Sequence, residues 1–413
     1  MPEGIAEGIG ASVRRKEDKK YTTGKGRYTD DINRAGQLHA FFMRSNVAHA
    51  TIKKIDVSKA LTCEGVAAIY TGDDIAADGV GGPICGWTPT NRDGSAPKEP
   101  PHPLLAHSKV RYVGDHIAVV IAESLEQARS AAEKITVDLD VLPPVVDLST
   151  AIGNTQIHDE MDDNVYFDWE LGDESATASA LESAAKIVEL TVTNNRVIPN
   201  AMEPRAAVAE YDETNESYTL YTTSQNPHLT RLVMAAFMMQ IPESKLHVVA
   251  PDVGGGFGSK IYIYPEEAVC TWATKKLRRP IKWTADRSEA FLGDAHGRDH
   301  VNKVKIGLDQ DNKIVGLRVD TLANLGAYLS AFSMVTPTYL HGTLLSGCYN
   351  IPAIYTNVKG VCTTTVNVDA YRGAGRPEAT SLLERTMDYA ARQVGMDPAE
   401  FRRINFIPKD AFP

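Results

Sequence analysis

The chain has 413 residues, 43 basic and 53 acidic side chains, and a formal charge of −10 at neutral pH. That balance argues against a nucleic-acid binder, which carries a basic face, and 43% hydrophobic against 23% charged residues excludes a disordered chain. Five cysteines without a C-x-x-C pair support neither a zinc ribbon, a locally ligated iron–sulfur cluster, nor a secreted disulfide framework.

No apolar leader opens the chain and no run of about 18 apolar residues occurs, so the expectation is a protein without a membrane span in a reducing cytoplasm. Residues 1–19 read as an arm, with the Arg14–Lys20 charge run as a solvated face or mobile segment. Strands are expected over Gln37–Val47, Ile52–Val57 and Gly65–Tyr70, with a short helix at Ser58–Leu61. The Gly/Pro-rich stretch Thr71–Pro103 reads as a surface loop. His116–Ala122, a helix over Ser124–Lys134 with Ser124 as N-cap, and Ile135–Val141 read as a β-α-β unit. Leu142-Pro143-Pro144 closes this first domain, 20–145, and the acidic stretch 146–174 reads as a linker.

The second domain, 175–413, opens with an Ala-rich helix and a strand at Ile187–Thr193. Ala206–Tyr211 and Tyr218–Thr223 alternate about a polar turn and predict a hairpin. Helix Leu229–Gln240, strand Leu246–Ala250 and helix Pro265–Leu277 follow, the last with proline in its first turn. A second hairpin is expected from Val301–Leu308 and Ile314–Ala323, and a final helix from Glu378–Val394. Met234, Phe237 and Met238 lie at helical spacing and predict core. The fold class is α+β.

Four segments could carry chemistry. Val253–Lys260 (VGGGFGSK) follows a strand, and its glycines permit positive φ and let successive N–H groups converge on an anion. Its spacing is neither a Walker loop nor the dinucleotide G-x-G-x-x-G, and an ordinary tight turn is the alternative. Phe257 favours a site, because an aromatic among four glycines can form a flat wall for a planar ligand. Tyr371–Arg376 (YRGAGR) puts two arginines around a glycine turn at a helix start, suited to an anion or, alternatively, simply solvated. Gln225 in TTSQNPH can donate to an oxo group, though Gln-Asn-Pro is also turn chemistry. Glu203 in NAMEPR reads as a capping or salt-bridged group rather than a catalyst. H-E-x-x-H and G-x-S-x-G are absent, and His296 and His300 sit in a glycine-interrupted stretch that suits structural histidines better than a metal face.

In their order and spacing, TSQNPH, VGGGFGSK and AYRGAGRPE resemble the large subunit of the xanthine oxidase family of molybdenum hydroxylases. TGKGRYTDDI, GQLHAFFMRSNVAHATIKKID and VRYVGDHIAVVIAES resemble that family's α/β-hammerhead domain, and the likeness covers essentially the whole chain. Within the family it looks most like the aerobic carbon-monoxide-dehydrogenase large subunits of the AYRGAGR form. The resemblance implies a hammerhead domain followed by the first half of a molybdopterin-binding region. It implies a molybdenum–molybdopterin cofactor, in its cytosine dinucleotide form, with no protein ligand to the metal. Gln225, Gly255, Gly256, Phe257, Gly258, Arg372 and Gly373 would bind it. Phe257 and Arg372 would take part in catalysis, with Phe257 lining the substrate channel. An iron–sulfur small subunit and an FAD medium subunit would carry electrons away in a dimer of heterotrimers.

Two positions depart from relatives in this family. Copper-containing carbon-monoxide dehydrogenases carry AYRCSFR, with a copper-binding cysteine where this chain has Gly373. Purine and aldehyde oxidisers often carry an acidic residue where this chain has Ile261. Gly373 cannot hold copper and Ile261 removes a partner for a polar heterocycle such as xanthine, so the expected substrate is an aldehyde or N-heterocycle other than xanthine rather than carbon monoxide, oxidised with oxygen from water. Family large subunits are also nearly twice as long, and their second half supplies the general-base glutamate; Glu203, Glu266 and Glu267 do not sit in its motif. The alternatives are a true carbon-monoxide dehydrogenase large subunit, and a truncated or split-gene piece that needs a companion chain.

Overall fold

The computed structural model describes residues 8–411, so positions 1–7 of the expected arm lie outside the described residues. Three sheets carry the fold. The largest runs, in order, Leu246–Val249, Ser217–Thr222, Ala206–Asp212, Ile281–Thr284, Leu38–Arg44, His116–Ala122 and Val66–Thr71. Its seam is a parallel pairing of Leu38 with Ile281 and His39 with Lys282. The core below mixes the same segments: Leu38, Phe42, Val119 and Ile121 pack with Leu220, Met234, Trp272 and Trp283. The regions expected as separate domains, 20–145 and 175–413, are thus fused through one ladder and one core. His116–Ala122 is buried along its whole length, which explains its unbroken apolar run.

A five-stranded sheet runs Val165–Gly172, Ile354–Cys362, Ile314–Gly326, His300–Leu308, Lys186–Asn194. Its first member corrects the linker expected at 146–174. Tyr166, Phe167 and Trp169 are buried there, and the strand pairs antiparallel with Ile354–Cys362. Neighbouring carboxylates such as Asp159, Asp162 and Asp163 mask that pattern in the sequence. Helix Arg376–Gln393 lays Ala379, Leu382, Leu383, Thr386, Met387 and Ala390 along one buried face, which covers this sheet.

Other expectations change as well. Ser124 caps helix Leu125–Ala132 by accepting from the Gln127 N–H at 3.2 Å, but the flanking strands do not form a β-α-β unit. Thr136–Val141 is half exposed and pairs with Ala50–Asp56 in a separate three-stranded sheet. The stretch 71–103 is not simply a surface loop. It begins with helix Gly72–Ala77, then straps the strand Val165–Gly172, with Arg92 N–H donating to Asp168 O and Lys98 N–H to Tyr166 O, both at 2.8 Å. Helix Pro227–Val233 passes into a π-turn at Met234–Met238 that turns Phe237 outward, 49% exposed, while Met234 and Met238 stay buried. The charge run is anchored at its end, where Lys20 donates to Asp252 at 2.6 Å, one residue before the glycine-rich segment.

Helix Pro265–Leu277 lies on the large sheet and carries Glu266 into its interior. Both Glu266 oxygens accept from the Arg205 guanidinium at 3.0 Å, and Oε1 also accepts from Arg44 at 2.6 Å. Arg205 donates onward to Asp294 at 2.6 Å and lies 3.6 Å from the Tyr264 ring centroid. Burial pulls the His116 imidazole down to about 4, and its Nε2 lies 2.8 Å from Arg44 Nη1 and 3.0 Å from Glu266 Oε1. The adjacent guanidinium groups overcome burial and hold the Glu266 carboxyl well below its usual 4.5. Removing one partner of a buried ion cluster strands the rest, so Glu266→Gln should cost about 3–5 kcal/mol in urea unfolding at pH 7. A depressed carboxyl contributes stability above its unfolded pKa and loses it as pH falls, so the gap between wild type and Glu266→Gln should narrow below pH 4.5.

Candidate active site

Two turns, one leaving each sheet, meet at their tips. The first, 251–264, connects strand Leu246–Val249 to helix Pro265–Leu277; the second, 369–375, precedes helix Arg376–Gln393. Gly258 has φ +113°, and a Cβ there would lie 2.1 Å from the Ala370 carbonyl oxygen, so only glycine allows this approach. The Arg372 N–H donates to the Phe257 carbonyl at 2.8 Å, and the Tyr262 hydroxyl to the Ala370 carbonyl at 2.9 Å. Phe257 itself is left-handed, φ +56°, and its ring is 40% exposed. The backbone bend lifts the side chain clear of the core.

The glycine segment is pinned from below. The buried Lys260 ammonium donates to the Glu203 carboxylate at 3.0 Å and to the Glu203 carbonyl at 2.8 Å. Burial, opposed by Glu203, pulls the Lys260 pKa down. The Gly254 N–H donates to the same carboxylate at 2.6 Å. Glu203 is thus salt-bridged, as its position before Pro204 suggests. Two of the loop's N–H groups are already taken by the chain itself, Gly254 by the Glu203 carboxylate and Gly258 by the Gln225 amide oxygen.

Gln225 joins the loop from the side. Its N–H donates to the Lys260 carbonyl at 2.7 Å, and its Oε1 accepts from the Gly258 N–H at 2.9 Å. With the amide oxygen fixed on Gly258, Nε2 is left to donate outward. Asn226 caps helix Pro227–Val233 by accepting from the Leu229 N–H at 3.2 Å, so TTSQNPH carries the turn chemistry its composition suggests. A Cβ at position 256 would fall 2.2 Å from Gln225 Oε1, which makes Gly256 the space in which the amide sits.

The remaining assigned residues lie on the second turn. Arg372 is exposed, and among the described residues its guanidinium makes no hydrogen bond or ion pair. Gly373 has φ +107°, and a Cβ there would meet the Pro377 ring at 2.4 Å. Below, Asp369 accepts from Ser330 Oγ and from the Phe332 N–H at 2.9 Å, and burial raises its carboxyl to about 6. Gln225, Gly255, Gly256, Phe257 and Gly258 therefore share one cluster with Arg372 and Gly373. Glu266 and Glu267 stand apart: Glu266 is consumed by arginines, and Glu267 accepts from Thr222 and from the Tyr264 N–H. His300 is buried beside His341, with ring centroids 5.4 Å apart, and His296 is paired with backbone. Asp369, which opens the second turn, and Arg298, which contacts it, are not among the expected residues; the glycine-interrupted stretch around Arg298 reads only as a place for structural histidines.

The family model of the molybdopterin cofactor-binding domain matches residues 157–406, and that of the aldehyde oxidase and xanthine dehydrogenase a/b hammerhead domain matches 23–143. The chain belongs to the xanthine oxidase family of molybdenum hydroxylases. It is 36% identical to the carbon monoxide dehydrogenase large chain of Hydrogenophaga pseudoflava, across 96% of this chain and 50% of that one. It is 30% identical to the nicotinate dehydrogenase large molybdopterin subunit of Eubacterium barkeri, across 92% of this chain and 85% of that one. Among solved structures, quinoline 2-oxidoreductase from Pseudomonas putida 86 superposes with a TM-score of 0.91 at 34% identity, covering 99% of this chain and 51% of the other. The chain thus spans about half the length of several curated relatives and most of the Eubacterium subunit.

The two glycines should separate by experiment. Gly256→Ala displaces the Gln225 side chain from its bond to the Gly258 N–H and should cost about 1 kcal/mol in thermal unfolding. Gly258→Ala must force a left-handed backbone against a carbonyl and should cost about 1–3 kcal/mol more in thermal or urea unfolding.

Proposed function

We propose that this chain forms the cofactor-binding and substrate-facing part of a molybdenum hydroxylase, and that Gln225, Phe257 and Arg372 line its reaction centre. One observation carries the reading: the two clamped turns bring an outward amide donor, a raised aromatic ring and an unpaired guanidinium to one place. A polyanionic pterin cofactor needs such donors, and the chain holds them without internal partners. The backbone N–H groups of Gly255, Gly256 and Phe257 likewise find no protein acceptor among the described residues. A side chain at 256 would fill the space between Gln225 and the loop, so the residues present fit the group.

Gln225, Gly255, Gly256, Gly258, Arg372 and Gly373 would hold the cofactor, in its cytosine dinucleotide form. When bound, the cofactor supplies the two-electron redox chemistry of hydroxylation with water-derived oxygen. The chain's own residues orient and exclude. Gln225 offers its Nε2 donor, Arg372 stabilises negative charge, and Phe257 stacks on a planar substrate and keeps water from it. An aldehyde or N-heterocycle suits this wall better than carbon monoxide. Gly373 has no ligating side chain, and its positive φ and the Pro377 ring leave no room for one. Electrons would leave through iron–sulfur and flavin subunits in a cytoplasmic dimer of heterotrimers.

A second reading, of a subunit that works with a separate companion chain, is favoured by the 85% coverage of the Eubacterium barkeri subunit. Purification from a host that makes the cytosine dinucleotide cofactor, with molybdenum and released CMP measured per chain, tests both. Cofactor retained only when a companion co-purifies supports the second reading; no molybdenum and no CMP under either condition rejects the function. In the assembled enzyme, dye reduction with aldehydes or N-heterocycles should proceed without added copper. Vigorous copper-dependent turnover of carbon monoxide would contradict the role given to Gly373.

A further inference from the structure

Arg298 does more than fill space behind the second turn. Its side chain is only 11% exposed, and it reaches three acceptors at once. Nη1 donates to the Tyr371 carbonyl at 3.2 Å and to Glu378 Oε1 at 3.1 Å, while Nη2 donates to the Arg372 carbonyl at 3.0 Å. The guanidinium carbon also lies 4.9 Å from the Tyr371 ring centroid. On the other side, the Arg372 N–H is held by the Phe257 carbonyl at 2.8 Å. The main chain of Arg372 is therefore gripped at both its N–H and its C=O, while its side chain stays free.

The backbone that delivers Arg298 is itself constrained. Arg298 and Asp299 are consecutive non-glycine residues at φ +68° and +69°. Such positions persist only where surrounding contacts over-determine them. Here Asp299 accepts from Arg196 Nε at 2.7 Å and from Asn324 Nδ2 at 3.0 Å. Gly297 lets Tyr371 approach, since a Cβ there would sit 2.4 Å from Tyr371 Cβ. Glu378, 1% exposed, supplies the opposite charge that makes a buried guanidinium tolerable. Strain, ion pair and hydrogen bonds all converge on the same two carbonyls.

We propose that Arg298 is a positioning residue: with Glu378 it locks the Tyr371–Arg372 main chain and so fixes the direction in which the Arg372 side chain is presented. The role of Arg372 in a reaction centre rests on the function proposed above; the clamp itself does not. Lys at 298 keeps the charge but not the planar fork, so it cannot bond both carbonyls and Glu378 in this geometry.

The test uses the full chain. Hydrogen–deuterium exchange of the peptide spanning 369–377 should rise about tenfold or more in Arg298→Lys, because charge-assisted hydrogen bonds are lost, while peptides of helix Pro265–Leu277 stay unchanged. Arg298→Met leaves Glu378 stranded and can unfold the chain, so it is paired with Arg298→Met/Glu378→Gln, which removes both charges; this double variant should fold and show the same local rise. In the cofactor-loaded assembly, Arg298→Lys should lower kcat about tenfold to a hundredfold with KM little changed, as expected when a charged group is misplaced by a fraction of its length. Unchanged exchange at 369–377 in both folded variants would overturn the clamp, whatever the turnover. Increased exchange together with normal kcat would keep the clamp and overturn the part given to Arg372. A chain that never takes up molybdenum would reject the function proposed above and leave the exchange result standing.

Discussion

The fold depends on a carboxylate that should not be where it is. Glu266 is fully buried, and ion pairs with Arg205 and Arg44 are what allow it to stay charged there. Those arginines come from opposite ends of the architecture: Arg44 ends the early strand Leu38–Arg44, and Arg205 precedes the late strand Ala206–Asp212. The glutamate is the acceptor the two arginines share, with Asp294 as a further partner of Arg205 and Glu289 of Arg44. The cluster thus fixes how the two halves of the large sheet face each other more specifically than apolar packing would. Asp294, Tyr264 and Trp283 complete the shell around Arg205. Tyr264 also accepts from the Ala295 N–H and donates to the Ser259 carbonyl, so the cluster reaches the end of the glycine segment.

From there the site is a matter of backbone rather than side-chain chemistry. The glycine segment is tied to Glu203 and Lys260 below, Gln225 beside, and the Ala370–Arg372 main chain above. Most of these ties use a main-chain group, which leaves the Phe257 ring, the Gln225 Nε2 donor and the Arg372 guanidinium free. Rigid backbone with free functional groups is the condition under which donors lose little entropy on meeting a ligand.

Much of this architecture was legible in the sequence where burial follows a simple period. Helix Pro265–Leu277, the hairpin of Ala206–Asp212 with Ser217–Thr222, and strand His116–Ala122 carry their own punctuation or patterning. The site segments were legible for another reason: glycine clusters and paired arginines are uncommon enough to stand out. What stayed hidden depends on partners distant in sequence. Ile354–Cys362 is largely buried although it contains Asn357 and Lys359, because Asp168 on the neighbouring strand accepts from the Asn357 amide and pairs with Lys359. Val165–Gly172 is concealed by flanking carboxylates, and Phe237 is turned outward by a π-turn that no local preference announces. Glu266 reads as an ordinary first-turn acid until Arg44 and Arg205 are seen on either side of it.

The parallel seam between Leu38–Arg44 and Ile281–Thr284 has a consequence for biogenesis. Parallel partners this far apart in sequence pair late, because the closure entropy of the intervening chain must be overcome before contacts repay it. During synthesis the early strands therefore emerge from the ribosome with an open edge, and it stays open until a large part of the remaining chain has followed. Such an edge is a template for wrong partners. A fragment ending before Ile281 would keep that edge unpaired.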